Sequence, residues 1–238
     1  MLAASAIRAV LLDIEGTTTP IDFVHKILFP FARKRVGDFV IDNFERLGPE
    51  IAQLKAEHTA DRSYTGPFKE AAPDSISLYL KHLIDTDRKS TPLKAIQGRI
   101  WQAGYETGDL RSQIFDDVPK AFEKWKAAGK TIAIYSSGSV LAQQNLFQYT
   151  DHGDLTPFIS GYFDTNIGGK REKTSYQRIG EELGRESGEI LFVSDVVAEL
   201  DAAKEAGMET SLSIRAGNAP ITSDTIHQAI HSFAALQI

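Results

Sequence analysis

Asp13 and Glu15 stand at the end of the apolar run Ile7-Arg8-Ala9-Val10-Leu11-Leu12, separated by Ile14 and followed by Gly16 and three threonines. Carboxylates at the end of a buried strand are costly unless they are paired, bound to a cation or reacting. Side chains alternate along an extended segment, so residues 13 and 15 can point the same way, and Gly16 permits a sharp turn. Such a pair can hold a hard cation, and one member can attack an electrophile. It also reads as a turn acid beside a solvated neighbour. Ser136 and Ser137 follow the apolar run Thr131–Tyr135 and precede a helical pattern. Hydroxyls and free backbone N–H groups there suit a phosphate, or simply cap the helix. Asp195 ends the run Ile190–Val193, with Glu199 one helical turn later. A strand-end acid is a good Mg2+ ligand, or again a cap. Lys170, after Gly168 and Gly169, is a point charge suited to a phosphate or a developing oxyanion, or a surface lysine beside Arg171 and Lys173. A nucleophile elbow is excluded because Ile134 replaces its first glycine. A phosphate-binding Walker loop is excluded by Asp164 and Arg171 at its glycine and Ser/Thr positions.

Four apolar runs must position these groups: Ile7–Leu12, Thr131–Tyr135, Ile190–Val193 and Thr210–Ile214. Near-continuous Val/Ile/Leu stretches of this length read as buried parallel strands. Helical patterns alternate with them. Pro119–Ala128 ends at Gly129, Leu141–Tyr149 starts after Ser139, Ser175–Leu183 follows a Thr174 cap and ends at Gly184, and Val197–Ala206 ends at Gly207. Alternating strands and helices predict an α/β, Rossmann-like parallel sheet, with ligands at the carboxyl ends of its strands. The stretch from Phe23 to Gly108 differs. Ile51–His58, Ser75–Ile84 and Leu93–Ala103 are helical in pattern, prolines punctuate them, and no strand intervenes. The expected organisation is an α/β core of residues 1–20 and 110–238 with an all-helical cap inserted at 21–109.

The 238 residues suit one domain carrying an insertion, and 42% hydrophobic residues suffice for a core. A net charge of −6 argues against a nucleic-acid partner and leaves no basic patch for a membrane surface. The absence of cysteine excludes disulfides, zinc thiolates and a cysteine nucleophile, and fits a reducing cytoplasm. No apolar run reaches the ~18 residues of a membrane span. Leu2–Leu12 is interrupted by Arg8 and reads as a strand rather than a signal peptide. The six histidines have no metal-binding spacing and read as structural or surface groups.

The order acid pair, strand-end serine, loop lysine, strand-end acid resembles the haloacid dehalogenase superfamily of phosphotransferases. Its motifs match Asp13-Ile14-Glu15-Gly16-Thr17, Ser136, Lys170 and Asp195. Two departures, Glu15 for Asp and the spacing Asp195-Val196-Val197-Ala198-Glu199, point to one subfamily. Asp13–Ile21, Leu28-Phe29-Pro30, Trp101–Glu106, Ile114–Pro119, Tyr135–Val140, Phe163-Asp164-Thr165 and Arg215–Ala219 resemble the enolase-phosphatase (acireductone synthase) family of methionine salvage over nearly the whole chain.

That resemblance implies a bifunctional, Mg2+-dependent enzyme. Its substrate is the small phosphorylated diketone 2,3-diketo-5-methylthiopentyl-1-phosphate, which it enolises and then dephosphorylates. Asp13 is implied as nucleophile, and Asp13, Asp195 and the backbone carbonyl at Glu15 as metal ligands. Lys170 and Ser136 hold the phosphate, and Ser137 contacts the dicarbonyl. Glu15 serves as acid and base, its extra methylene giving reach; Glu199 is a candidate to orient either Lys170 or the waters of the metal, with its place between them open. The helical insertion acts as a lid, with Phe23, Phe29, Trp101 and Tyr105 as candidates to meet the apolar methylthio tail or as plain helix core. A cytoplasmic monomer is expected, with the nucleus a second location in a eukaryote. The rivals are a capped phosphatase for another ester, a hydrolytic dehalogenase without the metal acid, and an inactive phospho-ligand binding module.

Overall fold

The computed structural model describes residues 7–221 and 225–238; the Leu2–Ala6 part of the first apolar run lies outside them. Six strands form one parallel sheet: β1 (Ala9–Leu12), β2 (Thr131–Tyr135), β3 (Gly161–Phe163), β4 (Ile190–Ser194), β5 (Glu209–Ser213) and β6 (Gln228–Ile230), in the order β3-β2-β1-β4-β5-β6. All four expected strands are present, within two residues at each end. β1 is the hinge of the topology: Ala9 pairs with Thr131 of β2 on one side and with Ile190 of β4 on the other. The chain therefore winds outward in both directions from β1. In such sheets a crevice opens beyond the carboxyl ends of the two strands where the order reverses. Here those strands are β1 and β4, and β1 is buried on both faces.

Parallel strands need crossovers, and helices supply them on both faces. After the single turn α1 (Ile21–Phe23) and four helices placed below, the core helices are α6 (Asp117–Ala127), α7 (Val140–Gln148), α8 (Lys173–Leu183) and α9 (Val197–Glu205). Ser139 caps α7, its Oγ accepting from the Ala142 N–H at 3.3 Å. Gly184 closes α8 in the left-handed conformation at φ +61°, the usual glycine solution for a helix end. Thr174 is not the cap of α8: that helix begins at Lys173, and Glu172 precedes it with no side-chain cap bond. Leu11, Tyr135, Tyr176, Phe192 and Leu200 pack in one cluster of the core. Phe122 meets Trp125 and Phe147, and Trp125 meets Phe233, ring against ring.

The chain divides into two compact units, one running to Val24 and resuming at Arg111, the other His25–Leu110. The second unit is helical: α2 (Phe29–Asn43), α3 (Gly48–Ala60), α4 (Pro73–Asp85) and α5 (Thr91–Glu106). Each of these four carries a proline in its first turn, where a missing N–H leaves no bond unmade. Four of the prolines that punctuate this stretch, Pro30, Pro49, Pro73 and Pro92, thus start helices rather than break them, while Pro67 lies in the loop between α3 and α4. The longest of the four after α5, α2, has no counterpart in the sequence reading.

Candidate functional site

The loop after β1, which carries the nucleophile candidate Asp13, is built by its own backbone. The Asp13 N–H bonds the Val193 carbonyl at 3.0 Å, carrying the ladder one residue past β1. The chain then reverses: the Ile14 carbonyl accepts from the N–H groups of Thr17, Thr18 and Thr19 at 3.2, 3.0 and 2.9 Å. Gly16 stands at the bend with φ +66°, a conformation that L side chains resist. It is also crowded. A Cβ there would lie 2.4 Å from Asp195 Oδ2, so the metal-acid candidate packs directly on the glycine. The motif's glycine is therefore required twice, by dihedral angle and by contact.

Asp13 is buried and its carboxylate is fixed. Oδ1 accepts from the Ile14 N–H at 2.8 Å and from Lys170 Nζ at 2.6 Å, and Oδ2 lies 3.3 Å from Ser194 Oγ. Lys170 Nζ also reaches Glu199 Oε2 at 2.7 Å. The single Ser194 hydroxyl lies 3.0 Å from that same Glu199 oxygen and accepts from the Val196 N–H at 3.1 Å. Burial works against the Lys170 charge, but Asp13 and Glu199 outweigh it and hold its pKa above the ordinary lysine range. Burial and the Asp13 charge push Glu199 upward, with Lys170 and Ser194 pulling the other way. Asp195 rises to about 7, through burial first and then the charges of Asp13 and Glu199. Of the two places open to Glu199, at Lys170 or at the waters of a metal, the structure shows a direct bond to Lys170, whose ammonium it shares with Asp13.

Lys170 is aimed by its backbone as well. Tyr135 Oη donates to the Gly168 carbonyl at 2.9 Å, Ser175 Oγ to that of Gly169 at 2.8 Å, and Tyr176 Oη to that of Lys170 itself at 2.6 Å. Ser136, at the end of β2, is buried, and its Oγ accepts from the Gly138 N–H at 3.2 Å. It is not the cap of α7, which is Ser139. Gln143 steadies this turn by donating to the carbonyls of Gly138 and Phe163 at 2.9 and 2.8 Å. Ser137 and Glu15 are half-buried, one at the end of β2 and the other at the end of β1. All six candidate residues thus belong to the α/β unit and lie at the carboxyl ends of the sheet or in the loop leading into α8.

The sequence matches the haloacid dehalogenase-like hydrolase family over residues 7–207. It is 49% identical over 237 residues to a Synechococcus elongatus protein named enolase-phosphatase E1, covering 97% of this chain and 98% of that one. The chain belongs to the enolase-phosphatase family of haloacid dehalogenase-like hydrolases. A Drosophila persimilis member is 46% identical, with 91% of this chain and 88% of the other covered. The solved structure of the UTR4 protein from Saccharomyces cerevisiae superposes with a TM-score of 0.79 at 34% identity, covering 97% of this chain and all of that one.

Members of a Mg2+-using superfamily need a place for the ion, and the donor chemistry here fits one. Asp13, Asp195 and Glu199 bring three carboxylates against the single ammonium of Lys170, which forms ion pairs with Asp13 and Glu199 and acts on Asp195 too weakly to offset its burial and the two like charges. No group of three or more His, Cys, Asp and Glu side chains converges as a ready metal cage among the described residues. Mg2+ does not require one, since it keeps several waters and takes only one or two carboxylates.

Two further sets of contacts tie these candidate residues together. Ser194 joins Asp13 to Glu199, and the Arg215–Asn218 loop reaches back to the nucleophile loop: Arg215 Nε donates to the Thr17 carbonyl at 3.3 Å and Asn218 Nδ2 to the Gly16 carbonyl at 3.0 Å. Arg215–Ala219 was noticed only as a family signpost; nothing in its composition announces a partner so distant in sequence. The tail-reading candidates divide. Trp101 and Tyr105 are buried in the helical unit, where Trp101 donates to the Leu28 carbonyl at 2.9 Å and stacks on half-buried Phe29. Phe23 is fully buried and belongs to the α/β unit.

Proposed function

We propose that the chain converts 2,3-diketo-5-methylthiopentyl-1-phosphate to the acireductone 1,2-dihydroxy-3-keto-5-methylthiopentene and phosphate, enolising first and hydrolysing second, in L-methionine salvage. One observation carries the reading: Asp13 is held at the switch point of the sheet with Lys170 on its carboxylate, in a chain alike over nearly its whole length to proteins named enolase-phosphatase. The two bonds to Asp13 Oδ1 fix the rotation of the carboxyl group, the positioning that phosphoryl transfer needs most.

In the first step Glu15 takes a proton from carbon 1 of the substrate, the released electron pair forms the carbon 1–carbon 2 double bond, and the carbon 2 oxygen takes a proton from solvent to give the enol, while Ser137 contacts the dicarbonyl. In the second, an Asp13 oxygen attacks phosphorus and the bond from phosphorus to the substrate oxygen breaks. Glu15 returns a proton to that oxygen, leaving an aspartyl-phosphate. Lys170 and Ser136 hold the phosphoryl oxygens, Lys170 arriving fully charged because Asp13 and Glu199 raise its pKa. Glu15 then takes a proton from the water that attacks phosphorus, and Asp13 is released. Asp13, Asp195 and the backbone carbonyl of Glu15 would hold Mg2+, which supplies positive charge at the phosphoryl oxygens and polarises the dicarbonyl when bound. The same reading takes residues 1–20 and 110–238 as the catalytic core and 21–109 as its helical cap. No helix among the described residues is long and apolar enough to cross a membrane; the same reading takes the protein as a cytoplasmic monomer.

The test follows ultraviolet absorbance and released phosphate together, with the diketone phosphate, purified protein and Mg2+, and with Asp13→Asn alongside. The reading expects an enol absorbance that rises before phosphate, and no phosphate from the variant. Phosphate released only from other esters would sink it.

A further inference from the structure

The Arg215–Asn218 loop is tied to the nucleophile loop more closely than packing requires. Asn218 Nδ2 donates to the carbonyls of Gly16 at 3.0 Å and Ser213 at 3.2 Å, and Ser213 Oγ gives the Gly16 carbonyl a second donor at 3.1 Å. Two acceptors on Nδ2 settle which way the amide faces. Its Oδ1 is then left buried with no hydrogen-bond partner. That oxygen is not lost in an apolar interior. A Cβ on Gly16 would lie 2.8 Å from Asn218 Oδ1 and 2.4 Å from Asp195 Oδ2, so both oxygens crowd the same side of Gly16. A buried carbonyl oxygen without a donor is an unmade bond, and such atoms ordinarily find water. The residue beside it is the carboxylate assigned to a cation that keeps its waters.

We infer that Asn218 is a positioning residue for the metal: its Oδ1 accepts a hydrogen bond from a water in the hydration shell of Mg2+ held at Asp195, while its Nδ2 fixes the Gly16 peptide. The inference rests on the Mg2+ reading above. Arg215 anchors the device. Its guanidinium makes two 3.0 Å bonds to the Asp117 carboxylate, donates to the His231 carbonyl at 3.0 Å, and lies over the rings of Phe115 and Phe233. Asn218 thus stands on a rigid base, as an outer-sphere group must to orient a ligand.

The measurement is Mg2+ affinity by titration calorimetry, on the wild type, Asn218→Ala, Asn218→Leu, Ser213→Ala and Asp195→Asn, with melting in EDTA as the folding control. Loss of an outer-sphere partner lowers metal affinity about 10–100-fold. Both Asn218 variants are expected to fall in that range. Ser213→Ala, which removes one donor to Gly16 and leaves Oδ1 in place, is expected to change affinity less than about threefold by the same reasoning. Asn218 variants that bind Mg2+ like the wild type overturn the inference. So does a Ser213→Ala loss as large as that of Asn218→Ala, because the effect would then travel through the Gly16 peptide alone. Asn218→Leu, near-isosteric, keeps the comparison open if the alanine variant melts early. If the wild type shows no Mg2+ binding that Asp195→Asn abolishes, it is the Mg2+ reading that falls.

Discussion

Asp195→Asn should make the metal-free protein more stable while disarming it. Asp195 ionises at about 7 in the folded chain against an ordinary 3.8, because burial and the charges of Asp13 and Glu199 oppose its negative form. In the unfolded chain that opposition is gone. The resulting penalty is absent below the lower pKa, grows as pH rises between the two, and is complete above the upper one. A shift of about three units corresponds to roughly 4 kcal/mol. Asp195 is only partly buried, and solvent screening cuts this to about 2 kcal/mol. For a chain of this size that is a melting-temperature rise of about 4–8 °C. The assay is thermal unfolding in EDTA at pH 8 and pH 5. The variant should melt higher at pH 8, and most of the gap should close at pH 5. Saturating Mg2+ should then stabilise the wild type through mass action and leave the variant unmoved, which narrows or reverses the order. A variant no more stable than the wild type at pH 8 in EDTA would refute the argument that uncompensated carboxylate charge is stored at this strand end.

Three further outcomes follow from the same contacts. Glu199→Gln removes one of the two carboxylates holding Lys170, and is expected to lower kcat/KM about 10–100-fold, chiefly through kcat; steady-state kinetics check it. Asp117 is pushed up by burial but held below its ordinary pKa by Arg215, the Phe233 N–H and Ser232, so its contribution is present above the ordinary carboxylate range and lost as pH falls through its lowered value. Asp117→Asn should therefore destabilise at pH 7 by about 1.5–3 kcal/mol and flatten the acid limb of a stability-against-pH curve. Ser139→Ala removes the cap of α7 and should cost about 1 kcal/mol in a denaturant melt, with Lys170 and Asp13 untouched.

The sheet was legible in the sequence chiefly where its strands are buried and apolar, because β1, β2 and β4 are written as runs of apolar residues, whereas β5 (Glu-Thr-Ser-Leu-Ser) carries only Leu212 and was placed by the helix–strand alternation around it. The two edge strands were not. Gly161-Tyr162-Phe163 and Gln228-Ala229-Ile230 are three residues long, too short to display a period, and the first is only half-buried. Helix α2 escaped because its buried stripe is only Ala32, Val36 and Val40, one residue per turn, with Gly37 inside and no side-chain cap before it. Asp13, Ser136, Lys170 and Asp195 were readable as strand-end and loop groups in a recognisable order. The partners that make them a site were not. Ser194 looks like strand, Glu199 stands one turn after Asp195 with nothing in its spacing to choose between Lys170 and a metal's waters, and Asn218 acts through a backbone carbonyl of Gly16, an atom that every residue carries and no sequence marks.

The account stands or falls on Asp13 as the attacking group. Wild-type protein would be mixed with the diketone phosphate and Mg2+, quenched within one turnover into borohydride, and digested for mass spectrometry. Borohydride reduces an aspartyl-phosphate to homoserine. The expected result is homoserine at position 13 and nowhere else, absent without substrate. Phosphate released at full rate with position 13 unmodified would contradict the account, and place the nucleophile elsewhere.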